Sequence, residues 1–266
     1  MAIQIAIIGA GVMGETLLSA FLGAGNSTDD VVITEKREER AEELRTKYGV
    51  RVIDNVDAAK GADILLLVVK PQDMAAVLAE IGGSVRPGST VMSLAAGIRI
   101  DAIEAAVAGG VAVIRAMPNT PALVGEGMFG LSPGKDCSEQ QLAEARALLE
   151  SGGKVVVLDE AHQDALTGVS GSGPAYVFYV AEAMIAGGVA AGLDQETARL
   201  LTTQTILGSA KLLAGSDDGP DVLRQRVTSP HGTTAAAIAT FDERGVKDAI
   251  AAGVVAAANR SAELSR

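Results

Sequence analysis

The sequence predicts a doubly wound, parallel α/β sheet followed by an all-helical domain, and three observations carry that prediction. Short runs of Val, Ile and Leu alternate with helical patterns through the first half of the chain. A glycine-rich break, "GAGVMG", separates the first apolar run from the first helix. Beyond about residue 163 the strand signals stop and only long, alanine-rich helical patterns remain. The expected division is therefore residues 1–162 and residues 163–266.

The first strand is the run Ile3 to Ile8, and the helix after it continues through Phe21. Between them stands G-x-G-x-x-G, comprising Gly9, Ala10, Gly11, Val12, Met13 and Gly14. In this strand–helix setting Gly9 allows the tight turn, Gly11 lets a pyrophosphate approach the backbone, and Gly14 lets helix and strand pack closely. The helix start then offers unpaired N–H groups to the phosphates. This is the dinucleotide-binding, Rossmann-type arrangement, and "DVVITEK" (30–36) supplies its second strand.

Alternation continues from there. "REERAEELRTKYG" (37–49) reads as a solvent-facing helix ended by Gly49, and "ADILLLVV" (62–69), "STVMSLA" (89–95) and "VAVIRAM" (111–117) read as strands. Unalternated runs of this kind suit strands buried on both faces of a parallel sheet, and "KVVVLDE" (154–160) is expected to be the last of them. Ligands of such sheets lie beyond the carboxyl ends of the strands. There the sequence places "KP" (Lys70–Pro71), "AAG" (Ala95, Ala96 and Gly97) and "PNTP" (Pro118 to Pro121, with Asn119), a set of loops suited to a nicotinamide.

The cofactor's phosphate state is contested. Glu35 stands where a carboxylate would take the ribose 2′-hydroxyl of NADH, yet Lys36 and Arg37 follow at once and suit the 2′-phosphate of NADPH. The balance leans slightly to NADPH.

The second half carries helical patterns at 174–192, 194–215 and 244–266. Their apolar faces are broader than a lone bundle needs, which predicts a homodimer through this domain. The most apolar stretch, 175–193, is broken by Glu182 and three glycines and is expected to be a buried helix, not a membrane span. "GVSGSGPAY" (168–176) is either an interdomain hinge or a Gly/Ser-rich helix start facing a ligand. "VTSPHGTTAAAI" (227–238) concentrates Thr228, Ser229, Thr233 and Thr234 at one helix start, more hydrogen-bonding groups than capping needs. A small anion docked at that helix N-terminus explains the excess.

Composition excludes other classes. A net charge of −11 argues against nucleic acid, which demands a basic face. The single cysteine, Cys137, precludes an internal disulfide, and the two histidines, His162 and His231, lack metal-ligand spacing, so no metal is expected. The first residues lack a basic region of the secretory kind, and a cytoplasmic location without membrane attachment is expected.

Taken together, "GAGVMG", "VVKP", "AAG", "RAMPNTPA", "GVSGSGPAY" and "VTSPHGTT" resemble the pyrroline-5-carboxylate reductase family from residue 3 to about 264. The resemblance implies a Rossmann domain and a helical dimerisation domain, with dimers that assemble further in some members. It implies reduction of the cyclic imine Δ1-pyrroline-5-carboxylate to L-proline by NADPH or NADH, the last step of proline biosynthesis. Ser229, Gly232, Thr233 and Thr234 fall on the family's substrate loop, Thr234 on the threonine that bonds the ring nitrogen. Asn55 and Val69 join the glycine-loop, Glu35–Arg37, Lys70–Pro71, Ala95–Gly97 and Asn119 positions as cofactor contacts. The partner subunit's helical domain completes the active site in dimers of the family. The family loop commonly reads S-P-G-G-T, and here His231 stands for the first glycine, which bears on the local turn and not on the helix behind it. Thr234, or a water it holds, is the expected proton partner of the nitrogen, with His231 an outside candidate.

Two other readings compete. A β-hydroxyacid-dehydrogenase-like oxidoreductase would need a lysine base in the window "GSGPAYVFYV", which has none. A non-catalytic dinucleotide-binding redox sensor would keep the cofactor site and the interface without the loop at 228–234.

Overall fold

The computed structural model describes residues 4–265. They form two compact units, the first running to Ser172 and resuming at Ala256, the second spanning Gly173–Val255.

Eight strands build one sheet in the first unit: β1 (Ile5–Ile8), β2 (Val31–Thr34), β3 (Arg51–Val52), β4 (Ile64–Leu67), β5 (Thr90–Ser93), β6 (Ala112–Met117), β7 (Gly127–Pro133) and β8 (Gly153–Val157). Their order is β3-β2-β1-β4-β5-β6-β7-β8. The first six are parallel, with Ile8 beside Thr34 and Leu67, and Leu67 beside Ser93. Sequential order reverses between β1 and β4, the switch point at which crevices open in doubly wound sheets. Helices α1 (Val12–Gly23), α2 (Glu38–Tyr48), α3 (Asn55–Gly61), α4 (Pro71–Ile81), α5 (Ile100–Glu104), α6 (Glu139–Glu150) and the single turn α7 (Gln163–Leu166) complete the unit. Successive strand residues feed opposite faces. Ile5, Ile7, Ile33 and Leu66 pack with Leu17, Phe21 and Phe129, while Ala6, Ile8, Leu65 and Leu67 pack with Met74, Val77 and Ile103. Two cores, one on each side of the sheet, account for strands that show no polar alternation.

The six strands expected from the sequence are all present. Two more were not expected. β3 has only two residues, too few for a periodic signal. β7 runs antiparallel to β6, and β8 follows β7 in that reversed direction. The β7 sequence, "GMFGLSP", carries two glycines where a strand run would carry branched residues, and both serve packing. A Cβ on Gly127 would come within 2.8 Å of Ala122 and of the Gly152 carbonyl oxygen, and one on Gly130 would strike Leu166.

The units part at Ser172, later than the expected break at residue 162. The reason is local packing. Gln163 is fully buried and donates from Nε2 to the Gly130 carbonyl (3.2 Å) and to Ser132 Oγ (2.8 Å), which ties α7 to β7. The last turns of the final helix return to the sheet unit, where Ser261 Oγ donates to Asp164 Oδ1 at 2.7 Å.

In the second unit lie α8 (Gly173–Ala190), α9 (Gln195–Ala214), α10 (Pro220–Arg226), α11 (Thr233–Glu243) and most of α12 (Val246–Leu264). The expectation that the apolar stretch at 175–193 is buried is corrected here. Helix α8 has no buried residue, and Val177, Phe178, Tyr179, Met184 and Val189 are all exposed. Its apolar character marks a face left exposed among the described residues. By length and hydropathy the helical stretch Glu160–Ala190 also passes for a membrane span.

At Gly14 helix α1 presses against the turn that leaves β1, because a Cβ there would strike the carbonyl oxygen of Gly9. Gly14→Ala is expected to cost about 2 kcal/mol through overpacking, lowering the thermal midpoint by about 4–8 °C. Gly23→Ala, on the same helix with no atom near its added methyl, should leave the midpoint unchanged or higher in the same scan.

Candidate active site

The parallel strands bring their carboxyl ends to one edge. Loop 9–11 leaves β1, residues 35–37 leave β2, 68–70 leave β4, 94–97 leave β5 and 118–119 leave β6. The sequence-predicted cofactor residues therefore share one edge of one sheet.

Gly9 has φ +97°, and a Cβ on it would lie 2.8 Å from the Val68 carbonyl oxygen, so the first glycine is needed both for its dihedral and for the closeness of β4. Around Gly11 the space is open: no atom lies within 4 Å of where a Cβ would stand. Helix α1 opens on Gly11 without a side-chain cap, leaving its first N–H groups for a ligand. An open cradle over an uncapped helix N-terminus fits a dinucleotide pyrophosphate.

Glu15, in the first turn of α1, would oppose an anion there if left alone. It is not. Its carboxylate receives Lys47 Nζ at 2.8 Å, Tyr48 Oη at 2.9 Å and the Arg40 guanidinium. These partners, Lys47 foremost, hold the Glu15 carboxyl down to about 2.

The remaining cofactor positions divide by what already occupies them. Lys70 and Pro71 begin α4, with Lys70 and Ala96 exposed, Ala95 buried and Val69 half-buried. Gly97 has φ +77° and is backed by the chain's own final helix, since a Cβ on it would lie 2.9 Å from the Leu264 carbonyl oxygen. Asn55 donates to Glu80 Oε2 at 2.8 Å. Asn119 is fully engaged: Nδ2 donates to Ser170 O (3.1 Å) and Ser170 Oγ (3.3 Å), and Oδ1 accepts from Met128 N (2.8 Å). It bolts the loop after β6 to the π-helical turn Thr167–Gly171, and acts there through position rather than by a free amide. The "GVSGSGPAY" segment is thus a wide turn fastened to the sheet unit, leading directly into α8.

Two features went unread in the sequence. Arg115 is buried on β6 and pairs through Nη1 with Glu160 Oε1 at 3.2 Å, while the same oxygen accepts the Ile100 N–H at 2.9 Å. A lone arginine inside an apolar strand run was the available signal. The Glu15 cluster gave none, since its partners lie up to 33 residues away.

In the second unit the loop expected to hold substrate forms a turn before α11. Gly232 N donates to the Ser229 carbonyl at 3.0 Å, and a Cβ on Gly232 would strike Ser229 Oγ. His231 has φ +60°, and among the described residues no other non-glycine residue has a positive φ. The left-handed turn of a glycine is therefore kept, at the modest strain a histidine carries there. Helix α11 opens on Gly232 with no side-chain cap. Thr228 Oγ1 is spent on the Arg224 carbonyl at 2.6 Å. The hydroxyls of Ser229, Thr233 and Thr234 make no hydrogen bond among the described residues. Among these residues no cluster of His, Cys, Asp or Glu is placed to hold a metal ion.

Comparison with known proteins bears on both units. Residues 160–264 match the family described as pyrroline-5-carboxylate reductase dimerisation, and residues 4–97 match the one described as NADP oxidoreductase, coenzyme F420-dependent. A pyrroline-5-carboxylate reductase of Synechocystis is 42% identical over the whole of both chains. The structure of a pyrroline-5-carboxylate reductase from Coxiella burnetii superposes with TM-score 0.93 at 32% identity, covering all of both chains. That of a Plasmodium falciparum pyrroline carboxylate reductase with NADP bound gives 0.88 at 27% identity, covering 99% of this chain and 98% of that one.

Glu15 makes stability depend on acid. Its folded pKa lies below the ordinary carboxylate value of 4.5, so its contribution is complete above about pH 4.5 and disappears as the pH falls toward 2. Glu15→Gln should shrink the loss of unfolding free energy between pH 6 and pH 2.5 by about 1–2 kcal/mol, allowing for solvent screening. Urea titrations at the two pH values measure it.

Proposed function

This chain belongs to the pyrroline-5-carboxylate reductase family, and from that premise we propose how its residues carry the reduction of Δ1-pyrroline-5-carboxylate to L-proline by NAD(P)H. The observation that supports the assignment of roles is the start of α11, an uncapped helix N-terminus facing three unengaged hydroxyls.

The substrate carries one carboxylate and one imine. First-turn N–H groups of α11 hold the carboxylate, helped by the partial positive charge of the helix end. Ser229 and Thr233 add hydroxyl donors, and Gly232 lets the carboxylate approach the backbone. Thr234 bonds the ring nitrogen and holds the proton that the product amine retains. NAD(P)H, bound over the glycine loop, supplies the hydride to the imine carbon. A protonated imine is already electrophilic, so the protein's work is orientation, and no strong acid is required.

In the cofactor site we assign Gly9 to Met13, Lys36, Arg37, Asn55, Val69 to Pro71 and Ala95 to Gly97 to direct binding, Gly14 to the packing of α1 on the sheet, Glu35 to holding Arg37, and Asn119 to holding the loop after β6. We propose a slight preference for NADPH, supported by Lys36, an exposed cation without an ion pair among the described residues, and by the NADP bound in the Plasmodium relative. The exposed apolar face of α8 we assign to a second copy of the chain, because the matching family description names dimerisation. Dimers that assemble further, and a cytoplasmic location, complete the reading. The unit running to Ser172 and resuming at Ala256 serves the cofactor, and Gly173–Val255 serves substrate and self-association.

Replacing Thr234 by Ala should lower kcat/KM for the imine by roughly ten- to a thousandfold, the scale of one hydrogen bond made in the transition state. Thr234→Ser should keep most of the rate. Cofactor oxidation at 340 nm measures both, run in parallel with NADPH and NADH; kinetics unchanged in Thr234→Ala would remove this residue from the mechanism.

A further inference from the structure

The end of β2 holds an internal ion pair where the adenine ribose is expected. Glu35 Oε1 accepts from the backbone N–H of Arg37 at 3.0 Å and from its Nε at 3.0 Å, and Oε2 accepts from Nη2 at 3.1 Å. The pair is lopsided. Glu35 has 8% of its side chain exposed and Arg37 has 68%. Hydrogen bonding to Arg37 holds the Glu35 carboxyl below its ordinary range in spite of burial. Lys36, between them, is exposed and has no ion pair among the described residues.

This arrangement changes what each cofactor meets. A ribose 2′-hydroxyl seeks a carboxylate, but Arg37 fills both acceptor sites of Glu35 Oε1 and one of Oε2, leaving a single lone pair on an oxygen already turned to the guanidinium. A 2′-phosphate seeks a guanidinium edge, and the edge formed by Nε and Nη2 is the one Glu35 occupies. The carboxylate therefore stands in the place of the phosphate.

We propose that Glu35 is an internal competitor for the 2′-phosphate site: Arg37 exchanges the Glu35 carboxylate for the phosphate of NADPH, joined by Lys36, and stays on Glu35 when NADH binds. The exchange is available because a phosphate monoester carries roughly −1.5 to −2 charges at neutral pH against −1 for the carboxylate. The exchange parts a nearly buried carboxylate from its cation, and that cost keeps the net gain from the phosphate small. When the guanidinium leaves, Glu35 keeps the Arg37 backbone N–H and the field of Arg40. Competition of this kind holds NADPH selectivity low and admits both cofactors, so selectivity is set by Glu35 as much as by the cations.

The proposal rests on the dinucleotide reading of the first unit, and its test separates the two. Calorimetric titration of the full chain with adenosine 2′,5′-bisphosphate and with 5′-AMP reads binding without turnover. Glu35→Gln should tighten adenosine 2′,5′-bisphosphate about three- to tenfold and leave 5′-AMP within about twofold. Arg37→Ala should weaken the bisphosphate by about tenfold and tighten NADH, since it releases the Glu35 carboxylate. The double variant should lose that NADH gain. An unchanged or weaker bisphosphate affinity in Glu35→Gln, with both fragments still bound, overturns the competitor alone. Failure of the wild-type chain to bind either fragment overturns the dinucleotide site and the competitor with it.

Discussion

The carbonyl oxygen of Gly9 lies against the Cα of Gly14, and no side chain fits between them. That contact fixes the angle at which α1 leaves β1, and so decides where the first turn of α1 points. It also lets β4 approach, because the Val68 carbonyl closes on Gly9 from the other side. With β1 held between β2 and β4 in register, every other loop at that edge inherits its position. The cofactor crevice is thus a consequence of two missing side chains at the centre of the sheet.

Helix starts in this chain are of two kinds, those with a side-chain cap and those without. Helices α3, α6 and α9 are capped by Asp54, Ser138 and Asp194, each accepting a backbone N–H. Helices α1, α10 and α11 open instead on glycines without a side-chain cap, Gly11, Gly219 and Gly232. A capped end has spent its donors, whereas an uncapped one keeps them for an anion. In the proposed function the ends of α1 and α11 are the two that take an anion, a pyrophosphate at the first and a carboxylate at the second.

Much of this was legible because the signals are local. The glycine spacing is set by strand–turn–helix geometry, and uninterrupted Val, Ile and Leu runs mark strands covered on both faces. The features that escaped are those decided across distance. In β7, glycine marks close packing against Leu166 and Ala122, which the order of residues does not show. Helix α8 looks buried by composition, yet composition says only that a face is apolar and not whether the same chain covers it. Near Glu35 the sequence shows a carboxylate and two cations, but not that one cation is already bound to the carboxylate. At His231 the sequence shows a departure from glycine, while the backbone keeps a glycine's conformation.

The end of α12 gives the molecule an unusual order of assembly. Leu264 backs Gly97, and Ser261 bonds Asp164, so the sheet unit includes turns that follow the whole second unit in the chain. During synthesis, domains that are continuous in sequence fold from the N-terminus as they emerge. Here the sheet can gather early, but the loop at Ala95–Gly97 receives its backing only after the helical unit has left the ribosome. The backing of Gly97 is therefore made only once α12 has been translated, and a chain stalled before Leu264 would carry the glycine loop without it.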